Sequence, residues 1–327
     1  MSRPIRRNYD LNKVSLAVLA TEEAHAGFLD SILSPLAVNS LVAPDWTIKL
    51  RVADTIEPPP AHIPRIWDGQ LSEGLPSVFV QERDRQILFV RDHFLMSSIR
   101  SARLTNIDVT PLGTKSITGT AVFWLLTRIL AACNRHLLHG ACVVDSRTQE
   151  AFALFAASGT GKTTTALALA RKGFCLAGDD ALVLTNSEQS SYLWGIPRKL
   201  KVHRRSVELL PWLRSVVGEW TADEQIIGSE VLASVIRIAD TSQRPAAGAI
   251  VLLQPNPVGH RVETISKADA LSQILMDNVR RAPTGLDPDA QAAFAAIARF
   301  IAITPTVALS VGPDPSSLKP AEILSAF

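Results

Sequence analysis

The chain has 327 residues, 47% of them hydrophobic and 20% charged, which suits one large or two smaller globular domains with a sizeable core. A formal charge of only +2 gives no reason to expect nucleic acid or an anionic membrane as partner. Cys133, Cys142 and Cys175 each sit in an apolar run without CxxC spacing or a paired histidine, so they read as buried free thiols in a reducing compartment. The basic start of the chain is followed by Glu22 and Glu23, not by an apolar signal core. The run 121–133 is too short to span a bilayer, and the run 292–311 is interrupted by Arg299 and Pro305. A cytoplasmic protein without a membrane partner is expected.

In chain order, Pro58, Pro59, Pro60 and Pro64 mark irregular backbone, because proline has no N–H to donate and a fixed φ. Residues 77–81 and 86–91 are β-prone runs around the polar tip 82–85, which predicts a hairpin, and 106–109 adds a strand. Residues 1–115 are therefore expected to form a small α+β, mostly β, domain. Residues 113–119 read as a connector, and 121–133, apolar nearly all round, as a buried helix. A second domain over 116–327 is expected to be α/β. In it, 141–144 and 151–156 form a β-hairpin, 162–172 a helix stopped by Gly173, and 174–176 and 181–184 strand segments. Helices are predicted over 207–217, 229–237, 268–281 and 288–303, and strands over 248–253 and 307–311.

The chemistry concentrates where the second hairpin ends. Ala156-Ala157-Ser158-Gly159-Thr160-Gly161-Lys162-Thr163 fits the phosphate-binding loop pattern with alanine at its first position. Small residues and glycines let successive backbone N–H groups turn inward around a phosphate, and the following helix adds its positive end. Ala157 to Thr164 are thus candidate nucleotide-binding residues, with Lys162 on the β- and γ-phosphates and the Thr163 hydroxyl on Mg²⁺. Asp179 and Asp180 follow the next strand. Adjacent carboxylates repel, which raises the pKa of one and suits it to proton transfer, whereas a bland reading is a solvated turn.

Together, His139-Gly140, a hairpin, Ser158-Gly159-Thr160-Gly161-Lys162-Thr163-Thr164 and Gly178-Asp179-Asp180 resemble the catalytic domain of bacterial HPr kinase/phosphorylase. The loop and the Gly-Asp-Asp piece are also similar to ATP-dependent phosphoenolpyruvate carboxykinase. The resemblance covers about fifty residues, from His139 to Leu184. It implies a P-loop kinase domain of the HPr kinase C-terminal type, with ATP and Mg²⁺ as cofactors and a serine hydroxyl of a peptide or small protein as acceptor. In it Asp179 matches the catalytic base, Asp180 its neighbour near the metal, and His139 the histidine that supports the aspartate. HPr kinases assemble as oligomers, so a homo-oligomer is also implied. The family's acidic Ile-Glu-Ile-Arg-Gly-like segment has as its nearest counterpart Gly195-Ile196-Pro197-Arg198-Lys199-Leu200-Lys201, which contains no acid. That departure leaves HPr as substrate and the reverse phosphorylase reaction unsupported. The chain looks more like divergent HPr-kinase-like proteins of peptide tailoring, some of which phosphorylate a lasso-precursor serine.

Arg198 has two readings, a clamp on the transferring phosphate or on a peptide carboxylate, and a solvated basic strand. Arg280 and Arg281 either touch a ligand or complement a helix dipole. Two other functions use the same motifs: a small-molecule kinase, and a nucleotide-dependent switch without transfer.

Overall fold

A computed structural model describes residues 4–40, 43–71, 74–117, 119–220, 222–279 and 287–326. The protein is mixed α/β, with several sheets and no closed barrel among the described residues. Its contacts divide it into two compact units, Met1–Asn134 with Arg281–Ala290, and Arg135–Arg280 with Gln291–Phe327. Among the described residues no helix is long and apolar enough to cross a membrane.

The first unit is built on strands β1 (Ile5–Asp10), β2 (Ser15–Ala20), β3 (Ala37–Val38), β4 (Trp46–Val52), β5 (Arg65–Gln70), β6 (Pro76–Glu82), β7 (Arg85–Val90), β8 (Phe94–Ile99) and β9 (Leu104–Val109). They form one sheet in the order β3-β1-β2-β4-β9-β8-β7-β6-β5. The expected hairpin is β6–β7, with Arg83 at positive φ in its turn, and β9 extends the expected strand. In β4, buried Trp46, Ile48 and Leu50 alternate with exposed Lys49 and Arg51, the period-two pattern of a sheet with one face covered. Two short helices, α1 (Glu23–Ala26) and α2 (Asp30–Leu33), follow β2.

Helix α3 (Gly119–Ala132) was expected to open the second domain, but its contacts place it in the first unit. Its Trp124 meets Phe79 of β6 edge to face at 5.5 Å. Its Arg128 lies over both rings and donates from Nη1 to Asp289 at 2.6 Å, while its buried Nε has no partner among the described residues.

The second unit begins with β10 (His136–Leu138), β11 (Ala141–Asp145), β12 (Ala151–Phe155), α4 (Lys162–Arg171), β13 (Phe174–Gly178), β14 (Leu182–Asn186) and β15 (Ser191–Gly195). Next come β16 (Leu200–His203), α5 (Arg204–Leu209), β17 (Glu224–Ile227), α6 (Ser229–Leu232), β18 (Arg237–Ile238), β19 (Ala247–Pro255) and β20 (Arg261–Thr264). The chain continues with α7 (Lys267–Asn278), α8 (Pro288–Ile303), β21 (Thr306–Val311) and α9 (Pro320–Leu324). Two predicted helices are shorter than expected. The first stops as α5 before Pro211, which heads a 3₁₀ segment, and the second is one turn, α6, before the chain reaches β18. The predicted helix over 268–281 is α7, and Arg280 and Arg281 lie outside the described residues.

The main sheet runs β18-β13-β11-β12-β19-β21-β20. The alternating residues of β11 and β12 face two different cores. Val143, Phe152 and Leu154 join α4, while Cys142, Ala151, Ala153 and Phe155 join α7, α8, β14 and β15. Because β11 is antiparallel to both β12 and β13, the ends of β12 and β13 and the start of β11 share one sheet edge. Of the cysteines only Cys142 is buried. Cys133 and Cys175 are partly exposed, and none of the three is in a disulfide.

In the first unit, the Trp46 indole N–H donates to Thr105 Oγ1 at 3.0 Å in a fully buried setting, and Thr105 also bonds Ser98 at 2.9 Å. Thr105→Val leaves that indole N–H without its acceptor and should cost roughly 1–3 kcal/mol. The loss is read as a lower denaturant midpoint for the first unit. An unchanged midpoint would show that the buried hydrogen bond contributes nothing net.

Candidate nucleotide and phosphotransfer site

The loop from Ala156 to Gly161 leaves the end of β12 and turns into α4. Gly159 (φ 78°) and Gly161 (φ 104°) lie in the left-handed region, and no atom would contact a Cβ at either position. Backbone conformation, not crowding, is therefore what requires glycine there. Gly161 caps α4 without any side-chain acceptor, so the first-turn N–H groups keep their positive end toward the loop. Lys162 is buried, and its Nζ donates to the Ala156 carbonyl at 3.0 Å, folding the ammonium back across the loop it would serve.

Asp179 and Asp180 follow β13 at the same edge, and the structure gives them different surroundings. Asp179 is 5% exposed and accepts from Thr163 Oγ1 on its Oδ2 at 2.8 Å, while its Oδ1 is buried with no partner among the described residues. Burial first, and then the charge of Asp180, push the Asp179 carboxyl up to about 7, against the Thr163 hydrogen bond and the charges of Arg198 and Lys162. Asp180 sits at φ 61°, a conformation few residues other than glycine adopt, and its carboxylate is about one-third exposed. One of its oxygens is 3.7 Å from His139 Nδ1 and the other 3.9 Å from Arg198 Nη2.

His139 is the step between β10 and β11. Desolvation first, and then the nearby Lys162 charge, lower its pKa despite the aspartates, so at neutral pH the imidazole faces Asp180 uncharged. Arg198 reaches the site because β15 pairs with β14 and Ile196 N–H bonds the Ala181 carbonyl at 3.0 Å. Gly195 makes that approach feasible, since a Cβ there would lie 2.1 Å from the Ala177 carbonyl oxygen. Of the neighbouring lysines, Lys199 is exposed and Lys201 pairs with Glu224 at 2.9 Å, away from the aspartates.

His139, Lys162, Thr163, Asp179, Asp180 and Arg198 are thus connected through neighbouring contacts or charge interactions at one sheet edge. The Thr164 hydroxyl is not directed into the loop. It forms a buried 2.8 Å hydrogen bond with Ser206 of α5, which leaves its backbone as the group available to a phosphate. Two contributors carried no sequence signal: Ser206, and Asn278, whose Oδ1 accepts from the His139 backbone N–H at 2.6 Å. Both lie far along the chain from the residues they hold, with no motif around them.

No protein-family model matches the chain, and no curated protein matches it significantly.

The Asp179 carboxyl supplies a stability test. Its folded pKa, about 7, lies above the usual carboxylate value near 4, so the folded state holds the proton more tightly than the unfolded one. Stability from this group is complete below about pH 4 and declines as pH rises to about 7, by up to about 4 kcal/mol in the metal-free protein. Asp179→Asn should therefore gain stability over wild type between pH 4 and pH 8. Parallel stability–pH curves would show that Asp179 titrates normally.

Proposed function

We propose that the second unit is a Mg²⁺- and ATP-dependent phosphotransferase of the HPr kinase-like type, acting on the serine hydroxyl of a peptide or small protein. The observation that carries this reading is the pair of unlike carboxylates beside the loop. One is buried against the hydroxyl that follows the loop lysine, and the other is accessible between a neutral histidine and an arginine. A pure nucleotide switch needs only the first.

The residues fit a magnesium ion held largely by phosphate and water, which takes few protein ligands. Thr163 would supply its hydroxyl, and Asp179, with Oδ1 buried and unpartnered, would supply the carboxylate. The ion, when bound, neutralises charge on the β- and γ-phosphate oxygens. Lys162 leaves the Ala156 carbonyl to pair with the γ-phosphate, and the loop N–H groups hold the β-phosphate. The acceptor serine oxygen attacks the γ-phosphorus, the bond to the ADP oxygen breaks, and the serine proton passes to a carboxylate.

Accessibility favours Asp180 as the acceptor of that proton. Geometry precedes pKa in choosing a base, and Asp179, though its pKa suits the task, is closed to an incoming hydroxyl. The two aspartates thereby exchange the roles that the family resemblance gives them. Arg198, partly buried beside Asp180, is positioned to hold the transferring phosphoryl group, and His139 orients Asp180 as an uncharged neighbour.

The test supplies Mg²⁺, γ-labelled ATP and serine-containing peptides encoded beside the gene. Wild type should label a peptide serine. Asp180→Asn should lower kcat by about a hundredfold or more with ATP affinity retained, whereas Asp179→Asn should first raise the Mg²⁺ concentration needed for ATP binding. The opposite pattern would return the base to Asp179. ATP binding without a labelled peptide would favour a small-molecule kinase or a switch.

A further inference from the structure

We infer that Asn278, at the C-terminal end of α7, is a positioning residue of the phosphotransfer site, acting on Asp180 through His139. The inference rests on the phosphotransferase reading for its kinetic consequence and on geometry for its physical one.

His139 and Gly140 are the two residues by which the chain leaves β10, in the small sheet β10-β14-β15, and enters β11, in the seven-stranded sheet. At such a crossover the backbone leaves one ladder before joining the next, so a local N–H needs another acceptor. For His139 that acceptor is the Asn278 side chain, 2.6 Å away. On the other side Gly140 lies so close to the wall that a Cβ there would meet the Phe155 ring at 2.9 Å and the Leu154 carbonyl oxygen at 3.2 Å. The crossover is thus held between a strand wall and a helix end. The imidazole it carries has Nδ1 3.7 Å from Asp180.

The chemistry of the holding group is specific. Asn278 accepts from His139 with Oδ1 and donates from Nδ2 to the Ile274 carbonyl at 2.8 Å, one of the last carbonyls of α7. An amide performs both jobs at once, whereas a carboxylate lacks the donor and a hydroxyl is too short to span both partners. Helix α7 is a firm base for this contact. Ser266 caps its first turn through Asp269 N–H, and Ala270 and Ile274 are buried in the core shared with β12 and α8. The neighbouring Asp277 adds negative charge toward His139, one of the influences opposing its lowered pKa.

The test is a double-mutant cycle read with the labelling assay, with Asn278→Ala, His139→Ala and the double variant. Asn278→Ala should lower kcat by about tenfold or more, the cost of a small misplacement in a phosphotransfer site, with KM for ATP within about twofold of wild type. In the His139→Ala background, the same Asn278→Ala substitution should cost nothing further. Losses that multiply in the double variant would overturn the inference, because Asn278 would then act independently of His139. A second readout uses the metal- and nucleotide-free protein. The His139 imidazole NMR signals should move in Asn278→Ala while the melting temperature stays within a few degrees, and unmoved signals overturn the positioning claim. If wild type transfers no phosphate, the phosphotransferase reading fails by itself, and the NMR comparison still decides whether Asn278 sets the histidine.

Discussion

The 2.8 Å hydrogen bond from the Thr163 hydroxyl to Asp179 ties the first turn of α4 to the end of β13, and the rest of the site is arranged around it. Such a bond forms only if the segments that follow β12 and β13 emerge at the same edge of the sheet. The antiparallel strand β11 between them secures this, because two strands antiparallel to a common neighbour run the same way. The bond also fixes which carboxylate is buried. Once Asp179 turns inward toward Thr163, Asp180 is left outside in a left-handed backbone conformation, where His139 and Arg198 can reach it. Two chemically identical side chains thereby acquire different environments, the usual basis for dividing acid–base and electrostatic work within a site.

The site resists its own assembly in ways that suggest use. A carboxylate is buried with an unpartnered oxygen, and an ammonium is turned onto a backbone carbonyl rather than onto a full counter-charge. Both arrangements cost free energy in an isolated fold, since a buried polar or charged group is stable only when satisfied. A metal–phosphate group would satisfy both at once. The glycines add a similar argument, because a Cβ at Gly195 would collide with the Ala177 backbone and one at Gly140 would press on the Phe155 ring, and their absence lets the Arg198 loop and the His139 crossover close on the aspartates.

The legible part of this molecule was its local part. The strand–loop–helix around Lys162 could be read because every feature it needs, an apolar strand, glycines and a helix-forming run, falls within some twenty consecutive residues. The β11–β12 and β6–β7 hairpins were legible for the same reason. The nine-stranded sheet was not, because β2, β4 and β9 pair in parallel over long separations and their residues give no local sign of one another. The helices expected over 207–217 and 229–237 show the reverse error: apolar content suggested long helices where Pro211 and an early turn toward β18 allow only short ones. Within the site, the aspartate pair and a raised pKa for one of them were visible, but which of the two is buried was not, since that depends on which side chain meets Thr163. Asn278, 139 positions from His139, had no sequence-level signal at all.

The phosphotransferase proposal turns on what Lys162 does when nucleotide arrives. A crystal structure with Mg²⁺ and a non-hydrolysable ATP analogue would show it. The expected complex has Nζ moved from the Ala156 carbonyl to the β- and γ-phosphates, with the metal on Thr163 and Asp179 and the γ-phosphate facing Asp180. Nucleotide bound elsewhere, or Lys162 still on Ala156 beside an occupied loop, would contradict it.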